Sequence, residues 1–303
     1  MKPVVLGSRG SALALAQTKL VQARLQQAHP GLAVEVCVIR THGDRFPTAS
    51  LSSGETKGWF TREIEEALLA GRVDAAVHSL KDLPTTLPDG LVLAGVLERA
   101  DPRDVLVSVR YDSLEALPRG ARVGTGSLRR RAQLLHRRPD LQIEPIRGNV
   151  ETRLHKVVDG EFDAVVLAAA GLHRLGCEVH GIWLSTDVML PAVGQGLIGI
   201  EIRAGDTRLR ELVAGVNVAE AWACALAERA FLRGMGGGCQ MPYAALATVD
   251  GEQLILTAGV FSPDGRVALR RQATGLASEA EALGQQVAAD LSAEMRSATV
   301  ARA

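Results

Sequence analysis

The chain has 303 residues, 47% of them apolar, with 34 Lys plus Arg balanced by 34 Asp plus Glu. That length allows two or three domains with real cores, while zero net charge and 3% aromatic content argue against a nucleic-acid or anionic-membrane binder. Cys37, Cys177, Cys224 and Cys239 show no CxxC spacing, so zinc and disulfide frameworks are disfavoured and free thiols in a reducing cytoplasm are expected; no apolar run nears the roughly 20 residues that span a bilayer, and the first seven residues are too soon broken to be a signal peptide.

Strand and helix alternate through the first third. Residues 4–7 read as a short buried strand, and Ser11 reads as the cap of a helix with Leu13, Ala16, Leu20 and Ala23 on one face. Residues 33–40 alternate as a strand, 60–70 are amphipathic and stop at Gly71, and 74–77 and 92–96 are further strands. Such alternation implies a mostly parallel sheet covered by helices. Asp101-Pro102-Arg103-Asp104 breaks the pattern as a first crossover, and a second α/β unit follows. Its strands are 122–124, 142–146 and 164–168. Its helices are 127–137 and 149–158, the second with Val150, Leu154, Val157 and Val158 inward. The Pro- and Gly-rich run 190–196 reads as a second crossover.

From residue 218 a long helix runs to Arg233, followed by the glycine run 234–238. Three strands joined at Asp250-Gly251 and Ser262-Pro263-Asp264-Gly265 form an antiparallel sheet, and a helix over 279–296 closes the chain. The expected domains are 1–99 with 198–216, 100–197, and 217–303. Two α/β lobes joined by two crossovers suggest a ligand trap with a cleft that closes.

Lys81 and Asp82 follow Ser79 where the strand 74–77 should end. In α/β sheets ligands bind outside the carboxyl ends of strands. A lysine beside an aspartate there builds a poor core but holds an anion next to a group that handles protons.

Arginines cluster at other strand-to-helix turns. Gly124-Thr125-Gly126-Ser127 leads into Arg129, Arg130 and Arg131, and Arg147-Gly148-Asn149 leads to Arg153. Arg9 precedes Ser11 in the first lobe, and Arg174 lies near the end of the helix after the 164–168 strand. Cations at a helix start oppose its dipole at about 0.3–1 kcal/mol each; a bound anion reverses that sign. Arginine's planar fork suits carboxylates, so the set points to a ligand with many of them.

Cys239 sits after Gly236-Gly237-Gly238, on a loop able to swing into a cleft, and reads equally as a cysteine of no consequence. His78 should point away from Ser79, which argues against a Cys-His pair. His42 reads as a loop residue, Trp59 and Phe60 as a loop anchor, and 52–58 as a mobile lid. Two rivals share parts of the pattern: a two-lobed solute-binding protein without chemistry, and a phosphate or RNA binder using Arg129-Arg130-Arg131.

Taken together, these motifs resemble the porphobilinogen deaminase (hydroxymethylbilane synthase) family over essentially the whole chain. The resemblance runs through Arg9-Gly10-Ser11 and Gln17, Thr41-His42-Gly43-Asp44, Lys57-Gly58-Trp59-Phe60 and the block 76–84. It continues through Asp101-Pro102-Arg103-Asp104, the blocks 124–130 and 147–150, residues 190–196, and Gly237-Gly238-Cys239-Gln240.

The resemblance implies two periplasmic-binding-protein-like α/β lobes with mainly parallel sheets, plus a C-terminal α+β domain with a three-stranded antiparallel sheet. It implies a transferase that joins four porphobilinogen molecules into the linear hydroxymethylbilane with loss of ammonia. The implied cofactor is dipyrromethane, linked through Cys239, and no metal is implied. Asp82 is the implied catalytic residue. The implied binding residues are Arg9, Ser11, Gln17, Lys57, Ser79, Lys81, Thr125, Ser127, Arg129, Arg130, Arg147, Asn149, Arg153 and Arg174. A cytoplasmic monomer passing product to uroporphyrinogen-III synthase is expected, without nucleic acid or membrane. Gly126 stands where serine is usual, Ala12 where proline is common and Trp59 where leucine is common.

Overall fold

The structure is a computed structural model that describes residues 2–41, 61–236 and 242–300. In chain order the first elements are β1 (Val4–Ser8), α1 (Ala12–Ala28), β2 (Val34–Val38), α2 (Arg62–Leu69), β3 (Ala75–Ser79) and β4 (Leu91–Val96). Next come β5 (Asp104–Val107), β6 (Arg122–Gly124), α3 (Leu128–Arg137), β7 (Gln142–Glu144), α4 (Val150–Val158), β8 (Ala164–Ala168), α5 (Ala169–Arg174) and β9 (Gly181–Trp183). The chain then adds β10 (Ile198–Arg203), α6 (Thr207–Ala214) and α7 (Ala219–Gly234). It ends with β11 (Tyr243–Asp250), β12 (Gln253–Phe261), β13 (Ala268–Leu276) and α8 (Ala280–Val300). These elements fall into two compact units, Met1–Ala100 with Leu197–Trp222, and Asp101–Gly196 with Ala223–Ala303.

The first unit holds a sheet of order β2-β1-β3-β10-β4, and the second holds one of order β7-β6-β8-β5-β9. In both, the first three strands are parallel and the fourth is antiparallel to its two neighbours. That fourth strand is the first one laid down after a crossover. Ala-Val-rich strands such as β3 and β8 suit this setting, because a sheet covered on both faces demands near-continuous apolar runs. In the first unit Leu6, Val21, Leu25, Val77 and Ile200 pack on one face, and Ile64, Leu68 and Ala76 on the other.

Several expectations change. Helix α1 buries Gln17, Thr18, Val21 and Leu25, and Leu20 is 44% exposed. Polar anchors near its start, such as Thr18 Oγ1 donating to Ser8 Oγ at 2.7 Å, set its rotation in place of the apolar stripe. Val158 is 67% exposed because Val157 takes the inward position of that turn. Strands β5, β9 and β10 were not foreseen.

In the second unit the sheet β11-β12-β13 is antiparallel throughout, with tight turns at Gly251 (φ 61°) and Gly265 (φ 76°). Phe231, Leu254, Leu256, Val287 and Leu291 form its core against α7 and α8. Ala132 and Leu190 meet Ala244 and Phe261, which joins this sheet to the α3 side of the same unit.

Candidate active site

In the first unit, β1 and β3 are parallel neighbours, so the residues following each emerge at one edge of the sheet. Ser11 caps α1 by accepting from Ala14 N at 3.3 Å. Buried Gln17 donates through Nε2 to the Ser79 hydroxyl at 2.8 Å. Beyond Ser79 the chain makes a single 3-10 turn, Leu80–Asp82, in which Leu80 is buried, Lys81 half-buried and Asp82 exposed. Leu80 N donates to Leu197 O at 3.1 Å, which ties the turn to the start of β10. Arg9, Ser11, Gln17, Ser79, Lys81 and Asp82 thus belong to one edge. His78 points to the opposite face of the sheet, where Nε2–H donates to Glu201 Oε2 at 2.9 Å.

In the second unit, β6, β7 and β8 are parallel, which again gathers the following loops at one edge. Thr125 N donates to Glu144 O at 2.9 Å, and its hydroxyl accepts from Ser127 N at 3.2 Å. Ser127 Oγ caps α3 by accepting from Arg130 N at 3.4 Å, and Asn149 Oδ1 caps α4 by accepting from Thr152 N at 2.8 Å. Gly148, at φ 103°, packs where a Cβ would come within 2.7 Å of Thr152 Cγ2, so the Arg147 turn needs glycine there. Arg153 donates through Nε to Gly148 O at 2.9 Å, and Arg147 is half-buried.

Arg129 and Arg130 are both buried, and their guanidinium groups meet Asp104, at 2.8 Å and 2.7 Å. Arg130 Nη1 also donates to Val166 O, Arg129 Nη1 to Leu190 O, and Gln195 Nε2 to Asp104 Oδ1 at 2.9 Å. Burial pushes the Asp104 carboxyl up, but the two guanidiniums and their hydrogen bonds override this and hold it well below the usual carboxylate range. Sequence reasoning missed Asp104 as a site residue. Its signal was an acid opening the apolar run Val105-Leu106-Val107, since an acid at the head of a buried strand requires a cation.

Arg174 is different. It donates to Gly196 O at 2.6 Å and has no carboxylate partner among the described residues. Burial alone lowers its pKa to about 10. A desolvated guanidinium without a counter-ion is what a ligand carboxylate would complete. With capped helix starts at sheet edges, this donor set fits a cofactor and substrate rich in carboxylates. Lys57, His42, Trp59, Phe60 and Cys239 lie outside the described residues.

The class these features define is an α/β protein of two units, each built on a five-stranded mixed sheet, with arginines at strand-to-helix turns and a Lys-Asp turn at a strand tip. Residues 4–211 match the family described as porphobilinogen deaminase, dipyromethane cofactor binding domain, and residues 222–293 match porphobilinogen deaminase, C-terminal domain. The chain is 51% identical over 293 residues to the porphobilinogen deaminase of Chromobacterium violaceum, covering 96% of this chain and 94% of that one. It is 50% identical over 289 residues to that of Roseiflexus castenholzii, covering 95% of each. The methionine binding protein MetQ, 14% identical, aligns over 72% of this chain and 91% of its own with a TM-score of 0.45; the strand order, not that superposition, defines the fold. The chain belongs to the porphobilinogen deaminase family.

Proposed function

We propose that the chain is a hydroxymethylbilane synthase that condenses four porphobilinogen molecules head to tail, releasing ammonia, with a dipyrromethane cofactor. The observation that carries this is the match of both family domains at about half identity over nearly the full length. When bound, the cofactor supplies the pyrrole end on which the growing chain is built.

The residues have divisible tasks. Asp82, exposed at the tip of its turn, is the carboxylate placed to stabilise cationic character on a pyrrole nitrogen and to move its proton. Lys81, Arg9, Ser11, Gln17, Ser79 and Lys57 serve carboxylate side chains and orientation on the first unit. Thr125, Ser127, Arg147, Asn149, Arg153 and Arg174 do so on the second. Arg129 and Arg130, whose guanidinium groups are themselves tied to Asp104, supply positive charge beside the ligand's carboxylates. Cys239 is the attachment point, which makes each condensation intramolecular on the protein side. Gly126 has room for the serine usual in the family, since its Cβ would lie 3.5 Å from Ile146 O.

We also infer the finer organisation. Residues 1–99 with 198–216, 100–197 and 217–303 act as three domains, the last carrying the cysteine. The enzyme works as a cytoplasmic monomer and delivers its unstable product to a uroporphyrinogen-III synthase. No described helix is long and apolar enough to cross a membrane, and Cys37, Cys177 and Cys224 are free thiols, which supports a reducing compartment.

The test is the denatured mass of the purified protein, with peptide mapping. An excess of two deaminated porphobilinogen units on the Cys239 peptide is expected, absent from Cys239→Ser. A bare mass that persists after incubation with porphobilinogen would overturn the reading.

A further inference from the structure

Strand β3 delivers the Lys81-Asp82 turn, yet its last residues are held from one side only. It pairs with β1 solely at Leu6↔Ala75 and Gly7↔Ala76, whereas β10 runs antiparallel along its whole length, from Ile202↔Ala75 to Ile198↔Ser79. The position of the turn therefore depends on β10. Leu80 sits against Gly199 of that strand, where an added Cβ would lie 3.0 Å from Leu80 Cδ1.

Side chains lock the strand end on both faces. Gln17 holds Ser79 on the α1 face, and on the α2 face His78 Nε2–H donates to Glu201 Oε2 at 2.9 Å. His78 is 5% exposed and Glu201 0%. Glu65, from α2, turns a second carboxyl toward this pair: burial pushes it up, Glu201 adds to that, and Thr61 and His78 oppose it. Glu201 Oε1 has no hydrogen-bond partner among the described residues. A buried His-Glu pair that leaves Glu201 Oε1 without a partner among the described residues is a poor device for stability alone, because apolar residues of similar volume fill such a place at least as well.

We propose that His78 and Glu201 are positioning residues, fixing the end of β3 so that the turn presents Asp82 in one place. The role rests on Asp82 being the catalytic carboxylate. A misplacement of about 1 Å at a reacting group costs on the order of 10²-fold in rate. Ablating the pair should therefore lower kcat and leave carboxylate binding, hence KM, nearly intact.

The test uses the holoenzyme with porphobilinogen, cofactor loading being read by mass. Glu201→Gln is expected to keep its cofactor, lose at least tenfold in kcat and hold KM within threefold. The double variant His78→Leu/Glu201→Leu separates positioning from sheet stability. Its thermal midpoint should return to the wild-type value or above, while kcat stays at least tenfold down. A double variant with wild-type midpoint and wild-type kcat would overturn the proposal, as would a folded, loaded Glu201→Gln enzyme at full kcat. A wild-type protein that neither loads cofactor nor consumes porphobilinogen would instead sink the functional reading, and the positioning role with it.

Discussion

Two aspartates at strand ends meet opposite fates in this fold. Asp82 is exposed at a tip, and Asp104 is fully buried at the head of β5 between two guanidiniums. Replacing them should separate chemistry from architecture. Asp82→Ala is expected to keep the wild-type thermal midpoint and lose nearly all turnover. Asp104→Asn strands two buried cations and should cost about 3–5 kcal/mol of stability, with activity falling through unfolding. The Asp104 carboxyl is depressed in the folded state, so its contribution is fully present above the ordinary value of 3.8 and is lost as pH falls through the lower folded value. Denaturation from pH 7 to 3 should thus show the gap to Asp104→Asn constant near neutrality and narrowing below about pH 4. A gap independent of pH down to 3 would refute this electrostatic account. The placement of the Lys81-Asp82 turn at the end of β3 was legible, because a Lys-Asp pair after an apolar run reads as the end of a strand rather than as core. Asp104 was not. Arg129 and Arg130 read as ligand-facing from their place at a helix start, and nothing local says that an acid 25 residues upstream in sequence meets them.

At the scale of elements, the strands that alternate with helices or are framed by turn signals were legible, and β5, β9 and β10 were not. β3 and β8 are nearly unbroken apolar runs, whereas β5 and β10 each carry a fully buried acid, Asp104 or Glu201. In β10 that acid interrupts the run which would have betrayed a central strand, and in β5 it leaves only the short run Val105-Leu106-Val107. Each sheet thus tolerates a carboxylate in its antiparallel strand and pairs it differently, with arginines in one unit and with histidine in the other. The first unit carries an additional acid in Glu65, and here the sign is reversed. Burial, reinforced by Glu201, raises the Glu65 pKa above its ordinary 4.5. The folded state then holds a proton that the unfolded chain releases, so stability falls as pH rises from 4.5 through the folded value. Glu65→Gln keeps the shape of the protonated acid and removes the titration. Its thermal midpoint should match wild type near pH 4 and exceed it at pH 8. A midpoint below wild type at pH 8 would show that the ionised Glu65 is stabilising after all.

Across the whole molecule, the C-terminal part was the easiest to outline and the hardest to pack from sequence. Its hairpins announce themselves at Asp250-Gly251 and Asp264-Gly265, and the strands fall where those turns require. The crossing of α7 and α8 leaves no such mark. Gly284 reads only as a weak point in a helix, worth about 1 kcal/mol against alanine. In the structure a Cβ there would lie 2.2 Å from Ala227 O, 2.8 Å from Ala230 Cβ and 2.9 Å from Phe231 N. Two of these are backbone atoms of α7, which cannot turn aside as a side chain end would. Alanine must therefore push the helices apart, and the higher intrinsic propensity of alanine loses to the overlap. Overpacking of this kind costs about 1–3 kcal/mol or more. The consequence reaches beyond the crossing, because α7 leads directly into the segment that carries Cys239, and its Glu228 holds Gly194 N and Ala247 N at 2.7 and 2.8 Å. Gly284→Ala should lower the thermal midpoint by about 2 °C or more, from roughly 2–4 °C per kcal/mol in chains of 150–250 residues. The fraction that remains folded should still load cofactor and keep wild-type kcat, since no ligand-binding residue is touched. A midpoint at or above wild type would mean that α8 moves away freely, and that this close approach is not what fixes the C-terminal core.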